Sequence, residues 1–336
     1  MRLLRAPLLF TLLIACGGDK AAEQVASAQE ILRKGDVPAG VAAMDAALET
    51  NPESVGAAIG ASYGAYLKGD LTRADSVLAA VENSAGDAVG EIKLRRALIA
   101  LTDKRLDDVR TYGEASGLPA GALLAAEVAL ADGERADAKV LLSTASAGEP
   151  RVSETAKKYL ALIEDSDPVV QGLSEAQALW ALGERRVAVK SVEELVKSLP
   201  EEREDKPEML LVWAGRAAAA GEGQVASNLI EAITFPPPGQ QWRVIATRAI
   251  IACANGEGQR CQDIFKDLEG VAPAAGLSDA KATAAILLSS TDKEAAKALA
   301  GKDATAAVAR ALLEAGDKEG AADLLSSGAF SNYLAN

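Results

Sequence analysis

The chain contains no histidine. That removes Ser-His-Asp and Cys-His nucleophile systems, His-ligated zinc and the usual proton shuttle near neutral pH. An enzyme built on this chain would have to work with carboxylates, lysine or tyrosine alone. Phosphate-loop, zinc-spacing and calcium-loop patterns are missing as well. No catalytic residue, metal or cofactor is therefore expected. Aromatic residues make up only 4% of the 336 positions, and strand-like alternation is scarce. Ala and Leu carry most of the 49% apolar fraction, and both lose little entropy in a helix, so the chain reads as all-α. A basic surface is lacking too. The formal charge is -13 and no Lys/Arg-rich run occurs outside the extreme N-terminus, which makes nucleic acid and anionic membrane surfaces poor partners. The acidic charge is spread thinly and reads as solvated surface.

What the chain does have is a beat. Seven times a Gly-acid pair follows a small residue by seven places and precedes another by five. The glycines are Gly35, Gly69, Gly133, Gly183, Gly221, Gly256 and Gly316. The small residues before them are Ala28, Ser62, Ala126, Ala176, Ala214, Ala249 and Ala309. Those after them are Gly40, Ala74, Ala138, Ala188, Ala226, Cys261 and Ala321. An apolar residue stands nine places after each glycine: Met44, Leu78, Leu142, Val192, Ile230, Phe265 and Leu325.

A glycine just past a helix can take the left-handed conformation that caps it, and an acid in the first turn of the next helix complements its dipole. Small residues on the two facing helices let their backbones approach. The apolar residue is the inward stripe of the second helix. Five of the glycines are followed, seventeen places on, by Pro52, Pro150, Pro200, Pro238 and Pro273. With 12 prolines in 336 residues, chance would place well under one there. These prolines stop one helix and start the next.

Spacings such as 34 residues from Gly35 to Gly69 and 35 from Gly221 to Gly256 resemble those of tetratricopeptide repeats. The resemblance covers nearly all of the chain beyond its first 20 residues. It implies a right-handed α-solenoid of about nine hairpins, some degenerate. Around Asp103 the turn glycine is lost and Arg96 takes the small position; around Thr291-Asp292, Ala284 and Ala296 keep it. The family's aromatics in the first helix are mostly Ala or Leu here, as at Ala58, Ala65, Ala122 and Ala129, which implies thin, close-packed helices. Fifty residues separate Gly133 from Gly183, leaving Arg151 to Asp165 as a surplus helix. The expected organisation is thus an N-terminal array over 21–150, an extra helix or hinge at 151–168, and a C-terminal array over 169–336. The Pro236 to Pro238 run reads as a stiff connector between repeats.

Residues 1–15 combine Arg2 and Arg5 with an apolar stretch far below the roughly 20 residues that span a bilayer, the size of a signal-peptide core. The end, Leu13-Ile14-Ala15-Cys16, resembles the lipobox of bacterial lipoproteins. That resemblance implies cleavage before Cys16, acylation of Cys16, and a short tether over 16–20. Gly17 rather than Asp follows the cysteine, which points to the outer membrane.

Cys253 and Cys261 flank the turn Asn255-Gly256-Glu257-Gly258. A disulfide stapling this hairpin suits an exported protein, and two separate buried thiols are the alternative. Gly221-Glu-Gly223-Gln-Val-Ala226 superficially matches a dinucleotide fingerprint, but both flanks are helical and the same Gly-Glu-Gly-Gln recurs at Gly256, so it is a repeat turn.

In tetratricopeptide arrays the first helices line the partner-binding face. By repeat phase, Ile59, Tyr63 and Tyr66 should point there, as should Leu173, Gln177, Trp180, Arg243 and Ile250. The expected function is a non-enzymatic, membrane-anchored scaffold for a protein or peptide partner in the cell envelope, serving outer-membrane, pilus or secretion machinery. The alternative is a lipoprotein that holds a small ligand or solute inside the solenoid.

Overall fold

The computed structural model describes residues 20–34, 36–197, 199–200, 203–236, 238–300, 308, 309 and 311. The signal segment, Cys16, Gly35, Pro237, Gly316, Ala321 and Leu325 lie outside them. Among the described residues there are 17 α-helices and no strand, and within each of the chain's two units every helix packs on its neighbours in sequence order. The chain divides between Leu182 and Gly183 into two compact units.

The first unit holds α1 (Lys20–Arg33), α2 (Val37–Thr50), α3 (Val55–Leu67), α4 (Leu71–Glu82), α5 (Val89–Thr102), α6 (Leu106–Ala115), α7 (Pro119–Ala131), α8 (Arg135–Ala145), α9 (Pro150–Ile163) and α10 (Pro168–Leu182). The second holds α11 (Arg185–Lys197), α12 (Lys206–Ala219), α13 (Gly223–Glu231), α14 (Gln241–Ala254), α15 (Gly258–Asp267), α16 (Ala274–Leu288) and α17 (Lys293–Leu299).

The turn that joins two helices of a hairpin is the same device at Gly69, Gly133, Gly221 and Gly256. At Gly69 the backbone takes φ 79°, the Gly69 N–H donates to the Tyr66 carbonyl, and the Asp70 N–H donates to that of Ala65. These two bonds form a Schellman motif, which satisfies carbonyls the helix end would otherwise leave open. The same pair of bonds recurs at Gly133 with Leu130 and Ala129, at Gly221 with Ala218 and Ala217, and at Gly256 with Cys253 and Ala252.

The acid after the glycine sits one position earlier than expected: it is the N-cap of the following helix rather than a first-turn residue. Asp70 Oδ1 accepts from the Arg73 N–H at 3.0 Å, and Asp36 and Asp292 do likewise at Ala39 and Ala295. Glu134, Glu222 and Glu257 hold the same N-cap position, but their carboxylates bond arginines rather than the helix end. The carboxylate of Asp is short enough to fold back on the helix end, which makes it the better cap.

The degenerate turn at Asp103 corrects the sequence register. Lys104 is the residue with positive φ, at 60°, and its N–H and that of Arg105 donate to Leu101 and Ala100. Lys104 therefore holds the glycine position. Counted from it, the small residue is Ala97, and Val109 stands five places after; both are fully buried. Arg96 is one place off the seam.

The remaining repeat positions meet as their chemistry requires. Every described small residue of the pattern is buried, and Ser62 Oγ donates to the carbonyl of Ala74 at 2.7 Å, directly joining the two small positions of one hairpin. Met44, Leu78, Leu142, Val192, Ile230 and Phe265 are all buried, each contributing about 1.5–3 kcal/mol of apolar transfer. Ala58, Ala65, Ala122 and Ala129 are buried too. The prolines lie between hairpins: Pro150 opens α9, Pro273 caps α16, and Pro52, Pro200 and Pro238 stand in the loops before α3, α12 and α14.

Glycine does more than turn the chain. Along α3, Gly56, Gly60 and Gly64 recur every four residues and so share one face. Val25 of α1 lies over Gly56, while Met44 and Val41 of α2 fill the space where side chains at Gly60 and Gly64 would stand. Gly113 of α6 and Gly121 of α7 face each other: a Cβ at Gly113 would lie 2.7 Å from the Gly121 carbonyl oxygen. The surplus helix of the sequence is α9, which packs on α7, α8 and α10 inside the first unit. The boundary between units lies beyond it, at the Gly183 turn.

Candidate functional site

Of the eight residues assigned to a partner-binding face, Leu173 and Ile250 belong to the core, at 8% and 7% exposure. Repeat phase alone points them outward. In the fold, α10 lies against α7, and α14 lies against both α12 and α16, so the flanks of these first helices are covered by neighbouring helices. Ile59 and Tyr66 are half-buried against the cluster of Ala58, Leu78 and Ile92. The Tyr66 hydroxyl is 3.2 Å from Thr102 Oγ1, 36 residues on, which ties α3 to the end of α5. Arg243 makes the corresponding lateral bond in the second unit, donating to Glu208 at 2.8 Å, 35 residues back.

Tyr63, Gln177 and Trp180 remain, each half-exposed. Burial, then the neighbouring Tyr66, pushes the Tyr63 hydroxyl above its usual pKa, so it stays a neutral donor. Tyr and Trp are the side chains that most often dominate interface energy.

The strongest polar cluster lies outside the sequence pattern. Arg96, on α5, donates to Asp75 at 2.8 Å, to Glu82 at 2.6 Å and to the Tyr112 hydroxyl at 2.7 Å, with its guanidinium 4.2 Å from the Tyr112 ring centre. Burial draws its pKa down, but the bonds to Asp75 and Glu82 outweigh that and hold it above its ordinary value. Two carboxylates already compensate the charge. The cluster joins α4, α5 and α6 and is not arranged to receive an anion. Its only sequence signal is an arginine where a small residue is expected.

In the second unit Cys253 and Cys261 are joined as a disulfide, Cα atoms 5.4 Å apart and both side chains buried, on either side of the Gly256 turn. The hairpins around it repeat closely. Gln224 donates to Asn228 and, 35 residues later, Gln259 donates to Asp263, both at 2.9 Å. Successive turns also lie side by side, Gly223 next to Asn255 and Gly258 next to Asp292. Phe235 and Val271, 80% and 72% exposed, stand in two successive inter-hairpin loops.

Among the described residues no three His, Cys, Asp or Glu side chains are grouped to hold a metal ion, and no helix is long and apolar enough to cross a membrane. No protein-family model matches the chain, and no curated protein is detectably similar to it.

Proposed function

We propose that this protein is a non-enzymatic helical-repeat scaffold, lipid-anchored through Cys16 to a bacterial membrane, most simply the outer one, where it holds a protein or peptide partner of the cell envelope. The observation that carries the reading is the recurring turn with one pair of backbone bonds, at Gly69, Lys104, Gly133, Gly221 and Gly256, with 35 residues from Gly69 to Lys104 and from Gly221 to Gly256. Arrays of that kind offer extended surfaces and few enclosed reaction sites. The absence of histidine throughout the sequence supports the same reading. In the first unit the side chains offered to the partner are Tyr63, Gln177 and Trp180.

Two experiments test this. Membrane fractionation of Cys16→Ser should release the protein into the soluble fraction; retention contradicts the lipid anchor. A photo-crosslinking residue at Tyr63 or Trp180 in the native cell should give one discrete adduct with another envelope protein. A smear at both positions, or none, contradicts the scaffold.

A further inference from the structure

The proposed anchor and the first three helices together fix which end of the first unit meets the lipid. Three residues, hence four Cα–Cα steps, connect Cys16 to Lys20, where α1 begins. Covalent geometry limits their reach to about 14 Å whatever conformation they take. The helix they lead into is docked, not free. Val25 lies over Gly56 near the start of α3, and Leu32 lies over Gly40 near the start of α2. Farther along, Val41 of early α2 lies over Gly64 of late α3. Successive helices are therefore antiparallel, and the beginning of α1, the end of α2 and the beginning of α3 share one end of the unit.

That end carries the loop 51–54 and the exposed carboxylates Glu23, Glu49 and Glu53. The opposite end, about 18 Å away along α3, carries the turn residues Lys34, Lys68 and Gly69.

We infer that the loop end at residues 51–54 is held toward the lipid headgroups, and that the turn end at Lys68 faces away from the membrane. Carboxylates offer anionic lipid no attraction, so the acyl chains alone keep this end at the surface. The inference rests on the lipid anchor proposed above.

The test uses the full, acylated chain, reconstituted into phosphatidylcholine vesicles doped with a Ni²⁺-chelating lipid. Spin labels are placed singly by Glu53→Cys and Lys68→Cys, both exposed positions. Nickel should relax the label at position 53 several times more strongly than the label at 68. Equal relaxation, or the reverse order, on protein that co-sediments with the vesicles overturns the orientation and leaves the anchor standing. Co-sedimentation of Cys16→Ser, or failure of the acylated chain to co-sediment, overturns the anchor and the orientation with it.

Discussion

In residues 20–182 two sets of helices, α1–α3 and α6–α7, close over glycine beside large buried side chains such as Leu78 and Leu142; in residues 206–300 glycine meets a neighbour at Gly223, Gly258 and Gly276, and a disulfide joins one hairpin. The first unit lets Met44, Val41 and Val25 sink into a glycine face of α3, and it brings α6 and α7 into backbone contact at Gly113 and Gly121. The second unit buries Trp213, Leu210, Leu211 and Phe265 and links α14 to α15 through Cys253–Cys261, with one ring, Trp242, laid on Gly276. Both use the same Schellman turn. The difference teaches that the turn sets the hairpin, while the way its helices close on one another is free to vary with side-chain size.

The comparison can be broken at its tightest point. Gly113→Val places three carbons where the Gly121 carbonyl and Ala125 already stand, and should destabilise the first unit by about 3 kcal/mol in urea unfolding. Gly215 of α12 has nothing within 4 Å of the place a Cβ would take, so Gly215→Ala should instead raise helix stability by up to about 1 kcal/mol. If both changes cost the same, glycine contact is not what holds α6 to α7.

A slightly smaller effect is expected from the disulfide. It closes a loop with a sequence separation of 8, and chain entropy gives its removal by Cys253→Ala with Cys261→Ala a cost of about 2.5 kcal/mol, confined to the second unit. An unchanged unfolding midpoint under oxidising conditions contradicts it.

The smallest effect concerns the one described hairpin turn in which lysine stands for glycine. Lys104 holds φ 60° where its counterparts are glycine, so Lys104→Gly should stabilise the first unit by about 1 kcal/mol, read as a shift in thermal midpoint. A loss of stability would mean that the Lys104 side chain contributes more than its backbone strain takes away.

Much of this architecture is legible in the sequence because glycine, small residues and apolar residues at fixed offsets are local instructions. A turn that needs positive φ selects glycine, and a seam that needs close approach selects small side chains, as at Ser62 and Ala74, within one stretch of chain. The Lys104 turn reads one residue out of register because lysine gives no sign of its backbone conformation. Gly113 fails the repeat pattern, since its role is set by Gly121 on another helix. Leu173 and Ile250 read outward because repeat phase gives the direction of a side chain within its hairpin and not which neighbouring helix covers it. The Arg96 cluster is likewise assembled from three helices, α4, α5 and α6, by contacts that no single stretch of sequence encodes.

The central claim, that each hairpin is held by its neighbours and not by the chain as a whole, is tested most directly by hydrogen exchange resolved along the sequence in Gly113→Val. The account predicts faster exchange in 89–131, with 206–267 protected as in the wild type. Protection lost evenly from 20 to 300 would contradict it.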